Sequence, residues 1–93
     1  MKLYNHFIDG KWIEPTKNEY FDTENPFTGE VWAKVARGCK KDADLAVKAA
    51  KAAFDTGAWA DMRPTQRGKL LVRLAEIIER ESERLANVEV RDN

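Results

Sequence analysis

The sequence is poor in the residues that catalyse reactions or hold metals. Its 93 residues include one cysteine and one histidine, too few for a zinc site, which takes three or four nitrogen and sulfur ligands. Cys39 alone cannot close an internal disulfide. Charge of one sign is also missing, because sixteen basic residues balance sixteen acidic ones. The basic excess expected of a nucleic-acid binder is therefore absent. Charges interleave, as where Lys40 and Lys41 run into Asp42 and Asp44, the pattern of solvated faces. The opening Met1-Lys2-Leu3-Tyr4-Asn5-His6 holds no apolar run that would serve as a signal peptide or membrane span. With the lone cysteine, this favours a reducing, cytoplasmic setting with no membrane or nucleic-acid partner. Glycines stand only at 10, 29, 38, 57 and 68, too far apart for a phosphate-cradling loop.

What is present is the composition of one globular domain, 43% hydrophobic and 34% charged. Strand chemistry comes first. His6-Phe7-Ile8 and Lys11-Trp12-Ile13 flank Asp9-Gly10, a pair suited to the positive backbone angles of a two-residue hairpin turn. Tyr20 to Glu24 and Val31 to Ala36 make a second pair around Asn25-Pro26-Phe27-Thr28-Gly29, which carries turn residues. Two β-hairpins are predicted, spanning about 6–36.

From Asp42 the period changes. Ala43, Ala46, Val47, Ala50, Ala53 and Phe54 recur at steps of three and four, one face of a helix. Asp42 is the expected N-cap and Gly57 the expected C-cap. Leu70, Leu71, Leu74, Ile77, Ile78, Leu85 and Val88 mark a second helical stretch opened by Pro64, which suits a first helical position. Its other face carries Arg73, Glu76, Glu79, Arg80 and Glu83, with Glu76 and Arg80 spaced for an ion pair. A run from Pro64 to Arg91 is long for a globular helix, so a break is expected near Ser82 to Leu85. Two or three helices are thus predicted over about 42–93.

Candidate chemistry is sparse. A nucleophile needs a base and an orienting group in reach. His6 sits in an expected strand with no partner evident in sequence and reads as an edge or surface histidine. Cys39 lies among Arg37, Lys40 and Lys41, cations that favour a thiolate, but no base stands beside it in sequence; it reads as an incidental loop cysteine. Trp12, Trp32 and Trp59 either pack under the hairpins or contact chain that is not in this sequence, which would leave apolar patches exposed.

The order of the segments resembles the aldehyde dehydrogenase superfamily over nearly the whole chain. The residues that carry it are Phe7-Ile8-Asp9-Gly10-Lys11-Trp12, Asn25-Pro26-Phe27-Thr28-Gly29-Glu30-Val31, and Asp42-Ala43-Asp44 leading through Ala46 to Phe54 and on to Trp59. Arg67-Gly68-Lys69-Leu70-Leu71, Leu74-Ala75-Glu76-Ile77-Ile78-Glu79, Leu85-Ala86 and the closing Glu89-Val90-Arg91-Asp92-Asn93 follow in the same order. In the family that last segment continues into Gly-Lys. Together with the missing helix stop, this leads us to expect a chain cut within a helical segment. Arg63 departs from the polar capping residue many members carry before the second helix.

The resemblance implies an α/β fold: this piece would be the N-terminal part, residues 1–93, of the Rossmann-type cofactor-binding domain, two β-hairpins followed by two or three helices. It implies a parent enzyme that oxidises an aldehyde to a carboxylic acid with NAD or NADP. The catalytic cysteine, general-base glutamate, oxyanion-hole asparagine and cofactor loop would all lie in later sequence, so no catalytic and no cofactor-binding residue is expected here. Partners would be the remainder of the enzyme chain and, in the parent, further subunits of a homodimer or homotetramer. The resemblance also implies a structural Na⁺ or K⁺ site built from backbone oxygens before the Asn-Pro turn and one acid, with Thr23, Glu24 and Asp92 at the matching positions. On this reading the chain is scaffold, inactive alone. The alternative is a non-catalytic helical interaction module that folds independently and pairs through its alanine-rich face.

Overall fold

A computed structural model describes residues 1–93. The chain runs through five strands, β1 (Lys2–Tyr4), β2 (His6–Ile8), β3 (Lys11–Ile13), β4 (Tyr20–Glu24) and β5 (Val31–Ala36). Four helices follow: α1 (Lys40–Thr56), α2 (Ala58–Asp61), α3 (Pro64–Arg80) and α4 (Ser82–Asp92).

Both expected hairpins are present. β2 and β3 pair antiparallel with Ile8 opposite Lys11, leaving Asp9 (φ 53°) and Gly10 (φ 73°) as the turn. Two successive positive φ angles match the right-handed twist of the flanking strands, and glycine meets one of them without steric cost. β4 and β5 also pair antiparallel, with a register irregularity between Thr23 and Glu24. Their turn is held by Asn25, whose side-chain oxygen accepts from the Phe27 amide at 2.9 Å.

β1 was not foreseen. It pairs parallel with β5, placing Lys2 opposite Ala33, so β5 is the central strand of a β1-β5-β4 sheet. Central placement explains why the fully buried residue, Ala33, and its neighbour Ala36 both lie on β5. Tyr20 donates to the side-chain oxygen of Asn5 at 2.7 Å, closing the sheet against the link between β1 and β2.

The helices correct several details. α1 starts at Lys40, two residues before Asp42, with Cys39 as N-cap. Asp42 stands at N3 and its carboxylate accepts the Cys39 amide at 3.0 Å, the returning half of a capping box. Lys40 and Lys41 are polar and gave the apolar periodicity no purchase on that first turn. Gly57 does close α1, in an extended rather than left-handed conformation. A four-residue helix, α2, follows around Trp59, which raises the helix total to four. Pro64 opens α3, and Gln66 repairs the poor cap at Arg63 by accepting its amide at 3.3 Å. The break falls at Glu81 (φ −96°, ψ 10°), just before the expected place. Glu76 and Arg80 form no ion pair; Glu81 and Arg84 do, across the break.

The molecule is flat, with extents of 47 × 34 × 16 Å. α1 meets the β2–β3 hairpin, whereas α3 and α4 form an arm that returns to the sheet through α4, against β4 and the Trp32 ring of β5.

Candidate functional site

The most densely bonded polar centre is Asp42, which is 4% exposed. Its carboxylate accepts the Thr16 hydroxyl at 2.6 Å, the Thr16 amide at 3.1 Å and the Cys39 amide at 3.0 Å. The Thr16 hydroxyl and then the Cys39 amide hold the carboxyl well below the usual carboxylate range, against the opposing effect of burial. His6 Nε2 lies 3.6 Å from the same carboxylate, too long for a hydrogen bond, and this nitrogen is buried without a partner. One acid thus gathers β2, the loop after β3, the β5–α1 connection and α1.

This corrects the reading of His6, which is half-buried beside an acid rather than alone on a strand edge. Cys39 likewise has an acid and a histidine near it, since His6, Cys39 and Asp42 line one open hollow with Phe7, Ile8 and Ala46. The arrangement is not a nucleophile with its base. No hydrogen bond joins His6 to the thiol, and Asp42 is committed to backbone and threonine donors. Thr16 had no signal in sequence, because its tie to Asp42 spans 26 positions.

The cation candidates lie at the end of β4 and the end of α4. The Thr23 hydroxyl donates to Asp92 at 2.5 Å, joining β4 to the end of α4. Glu24 is exposed beside the strand irregularity, and its carboxylate bonds to neither. No three His, Cys, Asp or Glu side chains converge as metal ligands. Beside Asp92, Arg91 stacks over Trp32 at 5.4 Å from the ring centroid, and Tyr4 meets the same ring edge-on at 6.0 Å. Trp12 pairs with Phe7 across the first hairpin at 5.0 Å between ring centroids, and both are exposed.

The residues present do not fit a dinucleotide. A helix N-terminus holds phosphate when its amides are free and nearby charge is positive. At α1 those groups face Asp42, an anion of the chain itself. α3 opens with a proline, which lacks an amide N–H. The positive-φ glycines, Gly10 and Gly29, belong to hairpin turns. No helix is long and apolar enough to cross a membrane.

Residues 12–93 match the aldehyde dehydrogenase family. The chain is 49% identical over 88 residues to the mitochondrial aldehyde dehydrogenase of Mesocricetus auratus, covering 94% of this chain and 18% of that protein. It is 42% identical over 86 residues to betaine aldehyde dehydrogenase of Bacillus subtilis, covering 92% of this chain and 18% of that one. Among solved structures, the NAD⁺ complex of aldehyde dehydrogenase from Bacillus cereus superposes with a TM-score of 0.89 at 41% identity, over 94% of this chain and 18% of that chain. The chain therefore spans less than a fifth of the length of these relatives. With a family match over most of its length and the same fold at that identity, this chain belongs to the aldehyde dehydrogenase family.

Proposed function

We propose that the chain is the N-terminal scaffold segment of the cofactor-binding domain of an NAD(P)-dependent aldehyde dehydrogenase. The parent enzyme oxidises an aldehyde to a carboxylic acid, with NAD or NADP as hydride acceptor. The observation that carries this is the family match over residues 12–93 combined with the likeness to an NAD⁺-complexed relative. The segment supplies rigid packing surface. Its polar centre at Asp42 is spent on holding loops, and its helix starts are unsuited to phosphate, so other sequence of the subunit supplies the cofactor site and the reacting groups. Alone, the segment is inactive. The parent assembles as a homodimer or homotetramer.

The test has two arms. The purified chain, given NAD⁺ or NADP⁺ and a panel of aldehydes, should reduce no nicotinamide. Grafted in place of the matching segment of the Bacillus cereus enzyme, it should yield a soluble enzyme that does. Turnover by the chain alone that vanishes in Cys39→Ser, or a graft that is folded but dead, would sink the scaffold reading.

Thr23, Glu24 and Asp92 we assign to a structural Na⁺ or K⁺ site of the whole enzyme. Hard cations take oxygen ligands, and the Thr23 hydroxyl and Asp92 carboxylate already adjoin. Replacing Na⁺ and K⁺ by choline at constant ionic strength should lower the thermal midpoint of the grafted enzyme. Asp92→Asn should erase that ion dependence; an unchanged dependence in the variant would remove Asp92 from the site.

The reading as a self-sufficient module has weaker support, because part of the alanine face of α1 (Ala46, Ala49, Ala50 and Ala53) already faces the Phe7–Gly10 turn across a groove.

A further inference from the structure

Asp9 is the aspartate whose carboxyl the fold leaves free beside an unhindered peptide. Of the seven aspartates, Asp42 is held by Thr16 and Cys39, and Asp92 accepts from Thr23. Asp22, Asp44 and Asp55 pair with Lys34, Lys40 and Lys51. Asp61 closes the short helix α2 and precedes Met62. Asp9 is exposed at the tip of the first hairpin, with φ at 53°, and Gly10 follows it.

The turn leaves the next peptide open. The last ladder pair is Ile8 with Lys11, so the link between Asp9 and Gly10 lies outside the ladder. Gly10 has no side chain, and even a Cβ at that position would meet nothing within 4 Å. The Gly10 nitrogen is therefore open to the carboxyl carbon of Asp9, an approach that a side chain on the following residue hinders. Asn18 shares the left-handed backbone (φ 54°) but precedes Glu19, and its own amide is tied to the Pro15 carbonyl at 2.8 Å.

We propose that Asp9 is a site of spontaneous isoaspartyl formation, and that this modification releases the β2–β3 hairpin from α1. The Gly10 nitrogen attacks the Asp9 carboxyl carbon in its acid form. A C–N bond forms, a C–O bond breaks, and the hydroxyl departs with the amide proton as water. Water then reopens the resulting succinimide at either carbonyl. Opening at the former side-chain carbonyl restores Asp9; opening at the former main-chain carbonyl routes the backbone through the side chain. The water lost is the water regained, and no oxidant or other reactant enters.

The isoaspartyl link adds a carbon atom to a turn whose two residues both hold positive φ angles. Such a turn fixes the register of its hairpin, and the ladder it closes has only three pairs. The longer link does not fit that register, so the hairpin opens. Ala46, Ala49, Ala50 and Ala53 of α1 face the Phe7–Gly10 segment and lose that cover with it.

The test ages the purified chain in warm, mildly acidic buffer. An isoaspartyl-specific methyltransferase with a tritiated methyl donor then labels the modified carboxyls, and peptide mapping locates them. Label should appear at Asp9 alone, whereas ageing in urea should spread it to aspartates the fold otherwise engages, Asp22 and Asp92 among them. Asp9→Glu should lose the label, since the longer side chain closes its ring far more slowly. Asp9→Asn should gain it sooner, because ammonia leaves in place of water, and asparagine tolerates the left-handed backbone, so the turn is kept. In the isoaspartyl fraction, separated by chromatography, amide exchange should quicken in β2 and β3 and stay as before in β4 and β5. Label absent from Asp9, or spread equally over Asp22 and Asp92 without urea, overturns the site. An isoaspartyl fraction whose β2 and β3 amides exchange at the old rate overturns the release of the hairpin.

Discussion

At the scale of single residues, Asp42 joins segments that sequence keeps far apart. The Thr16 hydroxyl and the Cys39 amide favour its charged form, so the folded state binds this proton less readily than the unfolded chain. For a carboxyl of depressed pKa, the linked stability is present above the unfolded value, about 3.9. It is lost as pH falls below that toward the folded value. The amide resonances of Thr16 and Cys39 report this directly. They should hold constant from about pH 6 to about pH 3 and move only below; an inflection near the ordinary carboxylate value would show that Asp42 is not held. Asp42→Asn should remove this pH dependence and lower the urea midpoint. Trp32 makes a different point. Its buried Nε1 has no acceptor, and an unmet buried donor costs about 1–3 kcal/mol. Trp32→Phe discards that donor and keeps a ring for Arg91 and Tyr4. It should therefore change stability by less than about 1 kcal/mol in urea titration.

At the scale of elements, two glycines predict opposite outcomes. A Cβ on Gly57 would run into the Ala53 carbonyl and lie 3.0 Å from Ala53 Cα, so Gly57→Ala must push α1 and α2 apart. A cost of about 1–3 kcal/mol follows from such overpacking. Gly68 lies inside α3 with open space at its Cβ position, so Gly68→Ala should raise helix stability by about 1 kcal/mol. Chemical denaturation of both variants separates the cases, and a destabilised Gly68→Ala would contradict the exposed α3. Elements whose signals are local were legible in sequence. The strands at 6–8, 11–13, 20–24 and 31–36 showed themselves through β-rich runs beside turn residues, and Pro64 marked the start of α3. β1 stayed hidden because it is three residues long and its partner, Ala33, is remote in sequence. The Asp42 centre was half legible: an acid near a helix start has a local meaning, but contacts with Thr16 and His6 exist only once the chain has folded. Of the cation candidates, which the family resemblance named, the fold brings the Thr23 hydroxyl and the Asp92 carboxylate together across 69 positions.

At the scale of the whole molecule, polar ties and apolar burial are divided unevenly. The body from β1 to α1 has a central strand, a buried pair of alanines and the Asp42 centre. The arm has caps and end ties but no buried residue. Helices in proteins draw most of their stability from packing of an apolar face. The end ties are weak replacements, since an exposed cation–π contact contributes about 0.5–1 kcal/mol. Hydrogen exchange on the isolated chain should therefore divide at Met62. Amides of β4, β5 and the first half of α1 should be protected, while those from Lys69 to Arg80 should exchange near the rate of an isolated helix. Equal protection on both sides of Met62 would mean that the arm stabilises itself without a buried apolar face.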